Sequence, residues 1–251
     1  GMLTPVEETG LGLTFLNTVY SFTDPVYFRN DSIIFSNLNF FDQYKNTAVL
    51  NGSISHHTFN QMKFNMAVET NNLLVLNTTS EHNEYFYGKG FAKGNVVIKG
   101  DMKETLIGGD IRTEKGTSIN IPFETSENAV KYDFIEFINI AEEETDKRSY
   151  NVVTSGLNMD FDVEITPEAK VQLIFNSQIG DIIKGEGNGN LKVKIDKNFN
   201  INLYGNYIIE EGDYLFTLQN VINKRFSIQR GSSIEWVGDP YDAIIDIAAV
   251  Y

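Results

Sequence analysis

The sequence predicts an all-β protein built as a long, folded-over sheet with an apolar groove. Three observations carry this. A strict two-residue alternation runs through IKGEGNGNLKVKID (183–196), the same alternation recurs along most of the 251 residues, and turn-forming residues separate the alternating runs. In 183–196 the odd positions are Ile183, Gly185, Gly187, Gly189, Leu191, Val193 and Ile195, while every even position is polar or charged. A period of two puts these sets on opposite faces of one extended strand. The spacing GxGxG is not the GxGxxG of a dinucleotide loop, no Lys-Ser or Lys-Thr pair follows, and LKVKID does not continue as a helix. Fourteen residues at about 3.3 Å each would span roughly 46 Å. Three inward glycines on so long a strand leave its dry face bare. The sequence admits two explanations, a close approach of a facing strand or a passage kept open, and the length of the glycine run points to the passage.

The other strands follow in chain order. QMKFNMAVE sets Met62, Phe64, Met66 and Val68 against Gln61, Lys63, Asn65 and Glu69. SINIPF gives Ile119, Ile121 and Phe123, with Pro122 placing this run at an edge or a bulge. NMDFDVEIT sets Met159, Phe161, Val163 and Ile165 against Asn158, Asp160, Asp162 and Glu164; KVQLIF gives Val171, Leu173 and Phe175; NINL gives Ile201 and Leu203. Turn signals stand between runs at Asn51-Gly52, Gly108-Gly109, Glu114-Lys115-Gly116, Glu211-Gly212-Asp213 and Gly238-Asp239-Pro240. One segment departs from the period. In YDFIEFINIAEEETDKRS, Phe134, Ile135, Phe137 and Ile138 fall at helical spacing, which predicts a short amphipathic helix near 132–141 and an exposed connection to about 150, capping an open end of the sheet. The expected organisation is one elongated β fragment over 2–251, excised from a larger protein.

Composition narrows the function. A net charge of -14 opposes binding to nucleic acid or to anionic lipid headgroups at the outer surface, because both need clustered Lys and Arg. With no cysteine there is no disulfide and no thiolate metal site. No apolar run approaches the roughly 18 residues that span a bilayer. His56 and His57 are adjacent and point to opposite faces of a strand, so they cannot share a metal, and no GxSxG elbow or cysteine nucleophile is present. The expectation is a protein that is not an enzyme and uses no metal or cofactor. The inner face is assigned to Phe64, Met66, Val68, Phe161, Val163, Leu173, Phe175, Leu191, Val193 and Leu203, together with Gly185, Gly187 and Gly189.

The run from Gly180 to Tyr251 carries a more specific pattern. Gly185, Gly187, Gly189 and Leu191 form G-x-G-x-G-x-L. Gly205 and Tyr207, then Gly212, Tyr214 and Phe216, form G-x-Y and G-x-Y-x-F, and Phe226 and Ile228 form F-x-I. Gly231, Ile234, Trp236, Gly238, Asp239 and Pro240 follow, and Ala243, Ile245, Ile247, Ala249 and Tyr251 close the series. This run, assigned to a family C-terminal motif region over 156–251, resembles the C-terminal part of the TamB family, the AsmA-like subunit of the translocation and assembly module. FLNTVYSFTDPVYF, AVLNGSISHHTF and YFYGKGFAKGNVVIKG resemble its Bacteroidetes variant. The resemblance implies an elongated, U-shaped β-taco in the periplasm, part of an inner-membrane-anchored protein with a TamA-like outer-membrane barrel as partner. It further implies that the inner face holds the acyl chains of phospholipid or another lipid during transport to the outer membrane. Two other functions stay open at this stage: a chaperone that receives outer-membrane or autotransporter strands by β-addition, and a structural β module without ligand.

Overall fold

Alternating runs of this kind pair edge to edge, and among the described residues they form one sheet of eighteen strands. The computed structural model describes residues 1–5, 10–13, 16–58, 60–82, 86–122, 156–176, 181–198, 200–218 and 222–251. The strands of the first half are β1 (Met2–Leu3), β2 (Gly10–Leu13), β3 (Thr18–Phe22), β4 (Val26–Arg29), β5 (Ser32–Phe41), β6 (Thr47–His57), β7 (Asn60–Thr78), β8 (Tyr87–Asp101), β9 (Thr105–Thr113) and β10 (Ser118–Pro122). Those of the second half are β11 (Leu157–Ile165), β12 (Lys170–Asn176), β13 (Asp181–Ile195), β14 (Ile201–Leu218), β15 (Ile222–Ile228), β16 (Ser233–Gly238), β17 (Ile244–Asp246) and β18 (Ala249–Val250). A 3-10 turn at Pro240–Asp242 follows β16, with the Asp239 carboxylate accepting from Tyr241 N at 2.9 Å. No α-helix occurs among the described residues, and the helix expected near 132–141 lies outside them.

The fold of the sheet follows from unequal strand lengths. β8, β13 and β14 run for 15, 15 and 18 residues, and along one side each faces two short strands laid end to end. β8 pairs with β9 over residues 92–100 and with β10 over 87–89. β13 pairs with β11 over 189–195 and with β12 over 181–186. β14 pairs with β16 over 203–208 and with β15 over 213–218. Each long strand therefore crosses both arms of the sheet, and each short pair breaks where the sheet turns. β11 lies parallel to β9 and β12 parallel to β10. Pro122 sits beyond Asn120, the last residue of β10 with a β8 partner, where a missing N–H removes no ladder bond on that side.

A break in a buried ladder leaves N–H and C=O groups without partners, and short polar side chains supply them here. At the corner between β9 and β10 the buried Thr117 hydroxyl accepts from Phe91 N at 3.0 Å and donates to Glu114 O at 2.7 Å. Between β11 and β12, Thr166 N donates to the Thr113 hydroxyl at 2.9 Å and the buried Thr166 hydroxyl donates to Thr113 O at 3.1 Å. Between β15 and β16 the Ser232 hydroxyl donates to Gln229 O at 2.8 Å and accepts from Ala248 N at 3.1 Å.

In β7 the same problem has another solution. The β6 ladder ends at Asn71 and the β8 ladder shifts register between Thr70 and Leu73. The tip of the β5–β6 hairpin fills the gap: Asp42, buried, accepts from Leu74 N at 2.8 Å while it also accepts from Tyr44 N at 2.8 Å and Asn46 N at 2.9 Å. The β13–β14 hairpin repeats this D-x-x-x-N turn in the open, with Asp196 accepting from Asn198 N at 2.8 Å and Asn200 N at 2.9 Å. Asp42→Ala strands the Leu74 amide and is expected to lower stability by about 1–3 kcal/mol in urea unfolding. Asp196→Ala removes the same turn bonds in water and is expected to lower it less. Equal losses would mean that the contact with Leu74 contributes nothing.

Candidate functional site

Because both arms turn their apolar parity inward, side chains from opposite sides of a corner come to face one another. They do not meet everywhere. A cavity of about 260 Å³ remains between the arms. Ile111, Val163, Leu191, Val193, Ile201 and Leu203 line it from the β9–β11–β13–β14 arm, and Ile119, Ile121, Pro122 and Val171 from the β10–β12 arm. Ile111 and Ile119 flank the corner at 114–117 and share this one space, which is the direct sign that the sheet has closed over on itself. At the corner, Ala92, Ile165 and Ala169 form the floor, and the Thr113 and Thr117 hydroxyls are engaged by the corner hydrogen bonds. Val75, Leu76 and Phe91 also line it, as do Tyr207, Trp236, Pro240 and Tyr241, where the Trp236 indole N–H donates to Pro240 O at 3.2 Å.

Of the residues assigned to the inner face from sequence, Val163, Leu191, Val193 and Leu203 lie on the cavity wall. Leu173 is fully buried in the core cluster beside it, with Phe175 packed against that cluster. Val68 packs on a second cluster of Tyr20, Ala48 and Leu73. Phe64, Met66 and Phe161 are half-buried and contribute nothing to this wall. Sequence reasoning passed over Ile119, Ile121 and Val171, although the alternation of their strands pointed to them. Ile111 in GGDIRT, Tyr207 and Trp236 had no periodic signal that separated them from ordinary core.

The C-terminal domain of TamB matches residues 37–251. The chain belongs to the TamB family. TamB proteins act in the translocation and assembly module with a TamA-like partner, which places this chain in outer-membrane assembly. No curated protein and no solved structure matches it. Among the described residues no helix is long and apolar enough to cross a membrane, and no three His, Cys, Asp or Glu side chains gather as a metal set.

The TamB-like glycine strand can now be read in three dimensions, and it departs from the open passage expected of it. Gly185, Gly187 and Gly189 are buried but do not line the cavity. Gly187 pairs with Ile209 and Gly189 with Tyr207, and both partners are 1% exposed. A Cβ on Gly187 would fall on the Ile208 carbonyl oxygen and 3.0 Å from Ile209 Cα. One on Gly189 would lie 2.6 Å from Asn206 O and 3.3 Å from the Tyr207 ring, and one on Gly185 would meet Ile209 Cγ2 at 3.3 Å. The backbone of β14 approaches because its ladder with β13 shifts register between Glu186 and Gly187. The glycines are small so that Tyr207 and Ile209 can lie across them. Gly187→Leu, and already Gly187→Ala, is expected to lower stability by about 1–3 kcal/mol. Unfolding at unchanged or higher denaturant would restore the open-passage reading.

Tyr207, the tyrosine of the TamB G-x-Y pattern, carries a buried hydroxyl with no hydrogen-bond partner. Burial pushes its ionisation well above the ordinary 10.0, and the charges of Glu186 and Glu210 push the same way. The folded state then holds this proton more tightly than the unfolded chain does. The associated stability is complete below pH 10 and is lost as the pH rises above it. Tyr207→Phe removes both the unpaired hydroxyl and the titration. It is expected to raise stability at neutral pH by up to about 1 kcal/mol and to flatten the alkaline limb of the stability profile. A destabilised Phe variant would show that the hydroxyl has a partner.

Proposed function

We propose that this chain is the periplasmic segment of an envelope-spanning, TamB-like protein that shields lipid acyl chains while phospholipid moves toward the outer membrane. The observation that carries this reading is the apolar cavity held between the two arms. Each methylene moved from water onto such a wall gains about 0.8 kcal/mol, so partitioning alone accounts for capture and no bond-making chemistry is needed. The outer surface does the opposite. Asp160, Asp162 and Glu164 project from β11 beside Lys192, which bridges Asp160 at 3.2 Å and Asp162 at 2.9 Å. These half-exposed pairs neutralise one another and leave a net acidic protein that does not attract anionic headgroups to its outside. Lipid is therefore drawn by the interior alone.

The second reading, strand addition for an outer-membrane client, is favoured by the edge of the sheet. Among the described residues β17 is paired on one side only, with β16, and Ile244 on it is 58% exposed. One experiment separates the two. A photo-crosslinking residue at Val163 or Val193 in the full-length protein is expected to capture lipid, and one at Asp162 or Lys194 to capture none. Capture of polypeptide from Ile244, with no lipid from Val163 or Val193, would replace lipid shielding by strand addition.

A further inference from the structure

The inward positions of β13, β14 and β15 are apolar or glycine along most of their length, and among the described residues two charged side chains break that rule. Both stand at the same end. Asp181 opens β13 in the parity of Ile183, and Lys224 stands opposite Phe216 in the parity of Phe226 and Ile228. Between them the inward side chains are aromatic. Phe216, Tyr214, Phe226 and Tyr251 form one run of rings across β14, β15 and the residue after β18, with successive centroids 6.1, 6.3 and 5.7 Å apart. Neither charge has an ion-pair partner among the described residues. Lys224 Nζ lies over the Tyr251 ring, 4.5 Å from its centroid, and Tyr251 is 87% exposed, so this end of the inner face is open to water. Asp181 Oδ1 is buried and has no hydrogen-bond donor. Burial, together with the Asp181 carboxylate that its hydroxyl faces, pushes Tyr214 up to about 12 and keeps it neutral. A carboxylate oxygen left in that state is short of a donor.

We infer that this end of the inner face is a headgroup site for a phosphoethanolamine lipid, with the phosphate at Lys224 and the primary ammonium at Asp181. The inference rests on the lipid reading above and specifies the head, which that reading leaves open. An ammonium supplies the donor that Asp181 Oδ1 lacks and lies against rings whose faces attract cations. The phosphate supplies the anion that Lys224 lacks. Two strand spacings, about 10 Å, separate β13 from β15. A phosphate and an ammonium two methylenes apart, each with a hydrogen bond of about 3 Å to its partner, bridge that distance. A choline head has no N–H to give, and a glycerol head has no cation, so both leave Asp181 without its partner.

The test compares soluble short-tailed phospholipids that share their tails and carry ethanolamine, choline or glycerol heads, each below its micelle concentration, on the 251-residue protein by calorimetry. The ethanolamine lipid is expected to bind about tenfold more tightly than the glycerol lipid. Asp181→Asn is expected to abolish that preference without weakening the glycerol lipid, and Lys224→Gln to weaken all three alike, with thermal melts showing that the variants are folded. The comparison of heads on the unmodified protein decides by itself should Asp181→Asn not fold. Equal affinity for the three heads would overturn the headgroup site and leave lipid shielding intact, and a preference that survives in folded Asp181→Asn would remove Asp181 from it. Free phosphoethanolamine binding as tightly as the lipid would overturn it as a lipid site. No binding of any of the lipids would overturn lipid shielding as well.

Discussion

A strand that crosses a corner has to keep its backbone paired on the way round, and everything else in this molecule depends on how that is done. β8, β13 and β14 are continuous through the turn of the sheet, but the strands beside them stop and restart. An unpaired buried amide costs about 1–3 kcal/mol, so several unpaired corners would consume a large part of a stability of the order of 5–15 kcal/mol. Thr117, Thr166, Ser232 and Asp42 remove that cost with side-chain oxygens set at the breaks. Residues of this kind are short enough to reach their own or a neighbouring backbone, which is why they and not longer polar side chains stand at these positions. Only once the corners are satisfied can the two arms face each other closely enough to exclude water from their inner faces.

Inside, the same parity rule gives two different outcomes. Between β13, β14 and β16 the interior is solid because bare and bulky positions alternate across the ladder: Gly187 lies opposite Ile209, Gly189 opposite Tyr207 and Gly205 opposite Leu191. The backbones come close and the large side chains cross over the small ones. Between the β9–β11–β13 arm and the β10–β12 arm the facing positions are mostly Ile, Val and Leu, of similar reach on both sides. Side chains of moderate and equal size on two faces held apart by the corner leave a gap. Packing there would need either glycines on one arm or a larger residue on the other.

This division explains what could be read from the sequence. Period-two alternation identified β11 and β13 and the face that each turns inward, because the polar and apolar sets in 158–165 and 183–195 are cleanly separated. It reports a face and not a depth. Leu173 and Leu191 are indistinguishable by pattern and share one core cluster, yet only Leu191 also stands on the cavity wall. The glycines show the same limit. Three bare positions suit an open passage as well as a close approach, and only the cross-strand partners Tyr207 and Ile209, some twenty residues away in the chain, decide between them. The corner at Glu114-Lys115-Gly116 was legible as a turn signal, but Asn51-Gly52, Gly108-Gly109 and Glu211-Gly212-Asp213, read as turns, lie inside β6, β9 and β14, and nothing local marks Thr117 or Thr166 as buried.

The cavity also bears on why the chain should hold a ligand at all. Side chains that line a space of about 260 Å³ forgo part of the dispersion contact that a filled core would give them. A chain that only needed to fold would recover much of it by exchanging Ala92 or Val163 for a larger apolar residue, a change of one or two positions in a sheet of eighteen strands. Under the proposed lipid shielding, a hydrocarbon tail in this space would restore the missing contacts without asking for a polar partner, and occupancy would be linked to folding, because a tail bound only by the folded state stabilises it by mass action.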